Sequence, residues 1–552
     1  MKHFHIHHKP LPACRSAKTG ALLLVLLLAS CLNEHPEGLI TENKAYTSAS
    51  QLYINAVATL YNYIGGDSDS QGLQGTYRGV YDYNTFTTDE AIIPTRGGDW
   101  YDGGFWQHLY LHTWTPSDAP LYDTWTYLYK VVMLCNQSLD QIETHQTLLT
   151  SDERSSYEAE VKAIRAMFCY YLMDLYGRIP LVTDSHAKVS TISQSERSET
   201  FRWIVNQLME VAPYLPDEHS NRQGNYYGRI TRPVAHFLLA KLMINAEVYA
   251  DDDWTDDKRP DGSQLTFTID GRKMNAWEAC IWFCDRLSDE GYALEDNYAA
   301  NFMVHNESSK ENIFTVPMDK TLYRNQFWYL FRSRHYVHGG AIGMDAENGA
   351  CATTSTVQAY GYGSKDEDPR YAINFYSDTL RVDGRVVRLD NGSPLVYQPL
   401  EVKHDLTGST YEKTAGARMS KYEIDRTAYA DGKLQDNDIV LYRHADVLLM
   451  KAEAKVRNGG DGSAELNAVR RRVGAPARKA SLDNILNERL LELMWEGWRR
   501  QDLVRFGRFC QAYDQRPQLA GETDCHTIVF PIPDTAIDLN GNLKQNPGYT
   551  KE

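Results

Sequence analysis

From Trp125 onward, apolar and aromatic residues fall at positions 125, 128, 129, 132, 135, 139 and 142. Intervals of three and four put such residues on one face of an α-helix, and a helix with one apolar face is stable only when that face is packed on another element. The same spacing predicts helices over Tyr157 to Tyr176, Thr200 to Val211, Pro233 to Tyr249 and Ala276 to Leu287, with Gly177, Pro180, Pro213 and Pro216 as stops. Short connections between successive helices imply antiparallel hairpins stacked in the manner of TPR arrays, with a degenerate repeat. Helical periodicity returns from Leu441, where Tyr442, Ala445, Leu448, Leu449 and Ala452 share a face. It returns again from Ser481 to Phe506, with Ser481 as the cap and Gly507 as the stop. Between Asn297 and Asp436 the pattern changes to short β-prone pieces such as Ile313 to Val316 and Thr379 to Val382, separated by Gly, Asn and Asp. The expected fold is therefore mainly α: TPR-like hairpins at about 123–290 and 441–507 form a scaffold, and loop-rich segments at about 60–120 and 297–436 carry a few short strands. No domain boundary is expected, because helices at both ends bracket the irregular middle.

At 552 residues, with 42% hydrophobic and 24% charged positions, the chain can bury a large core. A formal charge of −16 disfavours nucleic acid as a partner and selects no neutral ligand. The apolar run Ala21 to Ala29 follows the basic residues Arg15 and Lys18 and is too short to span a bilayer as a mature helix, so it suits the core of a secretory signal. It ends in Leu28-Ala29-Ser30-Cys31, which resembles a bacterial lipobox, so residues 1–30 are expected to be removed and Cys31 acylated. Beyond Cys31 the cysteines are 135, 169, 280, 284, 351, 510 and 525, an odd number that does not read as a disulfide framework. Cys510 and Cys525 can pair, and the sequence leaves that open.

The sharpest signature is Leu441-Tyr442-Arg443-His444-Ala445-Asp446-Val447-Leu448-Leu449-Met450-Lys451-Ala452-Glu453-Ala454, followed by Leu466-Asn467-Ala468-Val469-Arg470. Next come Glu488-Arg489, Glu496-Gly497, Asp502-Leu503-Val504-Arg505-Phe506-Gly507, Pro531-Ile532-Pro533 and Gln545-Asn546-Pro547-Gly548-Tyr549. Upstream lie Leu175-Tyr176-Gly177-Arg178-Ile179-Pro180-Leu181-Val182 and Asp368-Pro369-Arg370. In this order the segments resemble the motifs of the SusD/RagB family over nearly the whole chain after Cys31; His444 departs from a Tyr that is commoner there. The resemblance implies one SusD-like domain over 31–552, anchored by lipid in the outer membrane and exposed at the cell surface. It further implies capture of an oligosaccharide for a SusC-like TonB-dependent transporter, without catalysis or a cofactor. The other readings are a peptide-binding RagB-like lipoprotein and, less favoured, a glycoside hydrolase. HExxH, GxSxG, Walker A and GxGxxG motifs are all missing from the sequence.

Residues 89–106 combine large rings with glycines and short acids, the composition of an exposed loop. A sugar ring has an apolar C–H face that stacks on Trp or Tyr, while charged groups reach its hydroxyls. Trp100, Tyr101, Trp106 and Trp114 are the expected platforms, with Asp89, Arg96, Asp99 and Asp102 as polar partners. A second aromatic group, Tyr323, Trp328, Tyr329 and Tyr336 with Arg324 and Arg332, supplies a candidate opposite wall. The acidic run Asp251 to Asp257 with Asp261 lacks the ligand order of an EF-hand and reads as a solvated loop, so no metal site is expected. Glu488, Glu492 and Glu496 recur every four residues; with Glu496 pairing with Arg499 or Arg500, they read as an ion-pair network that locks the last helices.

Overall fold

The computed structural model describes residues 45–66, 72–73, 78–256, 258–321, 332–429, 434–520, 522 and 524–550. The signal segment and Cys31 lie outside them, as do Tyr323, Arg324, Trp328 and Tyr329. Ser48–Glu552 forms one compact unit, and Met1–Thr47 is a separate one.

Among the described residues, the long helices between residues 119 and 289 are α1 (Ala119–Thr144), α2 (Ser151–Tyr176), α3 (Arg197–Val211), α4 (Arg232–Ile244) and α5 (Ala276–Asp289). Each start is fixed locally. A proline sits in the first turn of α1 and of α4, where its missing N–H is no loss. Thr150 and Glu153 form a capping box on α2, and Asn275 and Glu278 another on α5. Gly177 ends α2 at φ 68°, where a Cβ would meet the Trp254 ring at 2.7 Å. In the second half follow α6 (His444–Arg457), α7 (Ser463–Arg472), α8 (Leu482–Leu493) and α9 (Arg499–Arg505). α1 packs on α2, α2 on α3, α4 on α5, α5 on α6, and α6 on α7 and α8, so the late helices continue the stack begun by the early ones. The second half of α2 is buried all round because it is enclosed: Phe168, Tyr170, Tyr171, Leu172 and Tyr176 are all in the main core, and Arg165 and Asp174 are buried with them.

Three helix expectations need correcting, the first being that over Pro233 to Tyr249, where the helix stops at Ile244 and a separate short helix, Ala246–Tyr249, follows Asn245. Ile439–Arg443 is a strand, antiparallel to Asn312–Val316 with both fully buried, and the helix begins only at His444. A β-branched, apolar run with a strand partner overrides the helical spacing that begins at Leu441. The helix expected over 481–506 is two helices. It breaks where Met494 turns to ψ 132° and Trp495 takes φ 67°. The break is held from outside: Trp495 N donates to buried Glu90 at 2.6 Å, and the carbonyls of Glu492 and Met494 accept from Lys421 Nζ at 3.1 and 2.8 Å.

That break redirects the acidic triplet. Glu496 no longer shares a helix face with Arg499 and Arg500; it pairs with Lys421 and Arg443, while Arg499 goes to Asp89 and Arg500 to Asp174. Arg443 bridges Glu311, Glu492 and Glu496, and Arg370 joins Asp368, Glu488 and Glu492. Arg472 pairs with Glu311 and Glu492, and Arg470 with Glu488. The network ties the irregular middle, through Glu311, Arg370 and Lys421, to the terminal helices. Fully buried carboxylates such as Glu311, Glu488 and Glu492 are tolerated here because each is matched in this way.

The remaining strands are short antiparallel pairs, among them Ala91–Ile92 with Cys351–Ala352. Cys510 and Cys525 form a disulfide with Cα atoms 5.8 Å apart. The other described cysteines are free and buried. In the acidic loop, Asp252 accepts from Ser198, Asp253 from Thr255, Asp256 from Lys258 and Asp261 from Ser263. No cluster able to hold a metal ion occurs among the described residues.

Candidate functional site

The aromatic loop is built from a tight turn. Arg96 and Asp99 exchange backbone hydrogen bonds of 3.0 and 3.4 Å across Gly97 and Gly98, and Gly97 takes φ 70°. The Arg96 side chain points inward and is fully buried, donating to the carbonyls of Gly349, Glu412 and Ala415 at 3.2, 3.2 and 3.0 Å. Burial, with Arg418 adding to it, draws its pKa down to about 9. Arg96 therefore fastens the turn to the body and does not reach a ligand.

After the turn, Trp100 adopts φ 63°, a strained conformation for a bulky residue. Its indole Nε1 donates to Glu347 O at 2.8 Å, and its ring lies where a Cβ on Gly349 would clash at 2.6 Å. Only glycine at 349 lets the ring sit there. Tyr101 is 58% exposed. Asp102 accepts from Trp106 Nε1 at 2.8 Å and pairs with Arg78 at 3.0 Å.

Tyr336 opens the short helix Tyr336–Ile342, is 45% exposed and donates from Oη to Asp99 Oδ2 at 2.8 Å. Lys413 Nζ donates to the same oxygen at 2.7 Å and to Arg96 O at 2.6 Å. The Lys413 bond holds the Asp99 carboxyl below the usual carboxylate range; burial and Asp99 push the Tyr336 phenol up to about 12. Gly98, Asp99, Trp100, Asp102, Tyr336, Ala346 and Glu347 line one open concavity of about 620 Å³. Two smaller ones, of about 270 and 370 Å³, flank the hairpin Thr266–Asn275 on the helical face and are lined by residues such as Phe201, Met209 and Trp282.

Of the residues singled out in the sequence, Asp99, Trp100, Asp102 and Tyr336 thus converge, with Tyr101 exposed beside Trp100. Four others are scaffold. Asp89 is engaged by Arg499 through two bonds of 2.7 Å, and Arg96 is buried as described. Trp106 is 1% exposed, edge-on to Phe86 at 5.7 Å. Trp114 is 5% exposed, donating to Tyr549 Oη at 2.8 Å and packed on Phe530 at 4.5 Å. These two rings fold inward because each indole N–H finds a partner there. Arg332, expected beside the second aromatic group, is buried in an ion pair with Asp82 at 2.7 Å. Trp328 and Tyr329 lie outside the described residues. Sequence reasoning missed Glu347, Gly349 and Lys413. The run Asp345-Ala346-Glu347-Asn348-Gly349 carries a loop signal, but nothing local marks Lys413, which meets Asp99 from 314 residues away.

Comparison with known proteins gives a consistent assignment. The SusD family profile matches residues 310–549, and a second profile, described as starch-binding and associating with the outer membrane, matches 70–244. The starch-binding protein SusD of Bacteroides thetaiotaomicron is 24% identical over 88% of this chain and 87% of its own length. A SusD-like protein of Bacteroides ovatus is 25% identical over 89% of this chain and 82% of its own length. Among solved structures, a SusD-like carbohydrate-binding protein of Bacteroides fragilis superposes with TM-score 0.69 at 18% identity, covering 90% of this chain and 99% of that one. The surface glycan-binding protein A of B. thetaiotaomicron, solved with laminarihexaose, gives 0.67 at 20% identity, covering 91% and 100%. The stacked helical hairpins, the ordered C-terminal motifs and these matches to both halves of the chain agree: the chain belongs to the SusD family.

Proposed function

We propose that this protein is a cell-surface lipoprotein of the outer membrane, anchored through Cys31, that captures an oligosaccharide and hands it to a SusC-like TonB-dependent transporter. The observation that carries this reading is the concavity, which brings Trp100 from the aromatic loop and Tyr336 from the start of a short helix together with the partly exposed carboxylate of Asp99. Such an arrangement stacks on a sugar face and accepts from its hydroxyls. The starch-binding and laminarihexaose-binding relatives support a glycan as the ligand. A transporter beside the site would benefit from a raised local ligand concentration at its mouth.

Catalysis is not part of the proposal. A glycosidase acid must stay protonated near neutral pH, whereas Asp99 is shifted the opposite way. The acids pushed up furthest, Glu90 to about 8 and Asp438 to about 7, are buried, and Glu90 accepts from Trp495 N and Asp438 from Tyr227; Asp251 and Asp514, also raised by burial, accept from Asp253 N and from Ser355. The test is isothermal titration of the chain beginning after Cys31 against a glycan panel, with reducing-sugar release followed in parallel. Binding without release, weakened at least about tenfold by Trp100→Ala, is the expected result. Sugar release by the pure protein overturns the non-catalytic assignment, and binding of peptides alone replaces the glycan.

A further inference from the structure

We propose that a small monovalent anion of the halide class binds inside the protein against Arg334 and His338, which lie on either side of Tyr336 in the chain. Arg334 is 1% exposed, and its Nε and Nη2 meet no hydrogen-bond partner. Among the described residues no carboxylate pairs with it, and residues 322–331, just before it in the chain, contain no acid. Burial draws its pKa down and Arg426 adds to that, although Arg426 is itself paired with Asp383 at 3.1 Å. The groups that oppose this, Tyr376 and Tyr397, are phenols and carry no charge near neutral pH. A guanidinium does not shed its proton to escape burial, and an unmatched buried charge is costly, so Arg334 calls for a negative partner. Arg197 is the control within the same molecule. Its Nε and Nη1 also lack partners, yet Asp174 and Asp251 act on it and it lies over the Tyr249 and Trp254 rings at 5.2 and 5.5 Å. Among the described residues Arg334 has neither an acid nor a ring in that role.

His338 supplies a third donor. The backbone N–H of His335 donates to Tyr397 Oη at 3.0 Å, and His338 Nδ1 lies 3.1 Å from the same oxygen. With one N–H already received, the Tyr397 hydroxyl gives its own proton to Nδ1, which leaves the imidazole proton on Nε2. That Nε2 is buried without a partner. Burial, then Arg334 and Arg418, hold the ring well below the ordinary histidine range, so it is neutral. Arg418 adds positive charge with no acid of its own, since its donors go to the Gly416, Ser333 and Lys413 carbonyls and to Asn348 Oδ1. Three N–H donors thus lack acceptors beside an unmatched cation. A water would offer lone pairs but no charge; an anion offers both. Leu380, Val387, Leu395 and Tyr397 form a small apolar cluster here, with Tyr376 packed on it and edge-on to His338 at 4.7 Å. Such surroundings favour a small, weakly hydrated monovalent ion over sulfate or phosphate.

The experiment uses the chain beginning after Cys31 and two readouts. Crystals grown in sodium bromide are measured at the bromine edge, and thermal melts compare sodium chloride and bromide with sodium gluconate at matched ionic strength. The expected result is an anomalous peak within hydrogen-bonding distance of Arg334 Nη2 and His338 Nε2. The melting midpoint should also rise by about 1 °C per tenfold increase in halide once the site fills, with no such rise in gluconate. Arg334→Met, which removes the charge and keeps an apolar side chain, should lose the halide response; if that variant does not fold, the bromide position in the parent protein decides. A peak without any halide effect on melting means an adventitious ion only and overturns the proposal. So does the absence of bromide at Arg334, or a halide response that Arg334→Met retains in full.

Discussion

Around Glu492 and around Asp99 the protein uses the same kinds of residue, acids beside cations and aromatic rings, to opposite ends. At Glu492 the carboxylate is fully buried and met by Arg370, Arg443 and Arg472, and the Glu492 carbonyl is also taken, by Arg443 and Lys421. Their charges hold its pKa well below the usual range in spite of burial. At Asp99 one lysine and one phenol share a single oxygen, and the acid stands at the edge of an open concavity. A charge whose partners are complete holds a fold together; one left incomplete at the surface is available to something else.

The most severe way to test this contrast is to strip a cation from the complete side. Arg443→Ala leaves Glu311, Glu492 and Glu496 buried with too few partners, and breaking a buried pair typically costs about 3–5 kcal/mol. The expected outcome is a urea midpoint lowered by that amount, or failure to accumulate folded protein, with Arg443→Lys recovering part of the loss. A stability change below about 1 kcal/mol would mean that the network is ornament rather than scaffold.

A second interior cluster gives the contrast a pH signature. His112 is buried beside Arg516 and Glu522; its Nε2 lies 2.7 Å from Thr87 O, and Arg516 donates to its Nδ1 at 2.8 Å. That geometry holds a neutral imidazole. Burial, with Arg516 adding to it, lowers its pKa to about 4. The unfolded chain, with an ordinary histidine near 6.5, binds the proton first, so this group's contribution to stability is present above about pH 6.5 and is lost as the pH falls toward 4. One unit of such a shift is about 1.4 kcal/mol, so His112 alone withdraws about 2 kcal/mol between pH 6.5 and 5. Glu90 and Asp438, pushed up by burial to about 8 and 7, act in the opposite sense, so the global curve does not isolate it. The comparison with His112→Gln does: the deficit of the variant relative to the parent should shrink by about 2 kcal/mol from pH 6.5 to pH 5 in thermal or urea melts. A deficit that stays constant would mean that His112 is already charged in the fold.

The contrast also explains what was legible in the sequence. Helices were, wherever a stripe met a local cap or stop: α5 follows Asn275 and ends near its expected limit, and α2 stops at Gly177. The strand at Ile439 and the break at Met494 were not, because both are imposed by partners far along the chain, Asn312–Val316 for the one and Glu90 with Lys421 for the other. Within the aromatic loop, composition identified the segment but could not separate Trp100 from Trp106. Both are tryptophans in a glycine-rich stretch. What distinguishes them is that Trp106 packs against Phe86 in the interior while its N–H reaches back to Asp102, whereas Trp100 is held at the surface by Glu347 O and the missing Cβ of Gly349.

The mildest test falls on the incomplete side. Tyr336→Phe removes the hydroxyl that donates to Asp99 while keeping the ring. Since Tyr336 is 45% exposed and Asp99 keeps Lys413, folding stability should move by less than about 0.5 kcal/mol. Glycan affinity should fall about threefold, because a net hydrogen bond of about 1 kcal/mol no longer fixes the ring for stacking. The two readouts separate the two kinds of site. A stability loss above about 2 kcal/mol would place Asp99 and Tyr336 with Glu492, as scaffold that happens to lie at the surface. Affinity and stability both unchanged would mean that the ring is held by packing alone, and that the free oxygen of Asp99, rather than the orientation of Tyr336, is what the ligand meets.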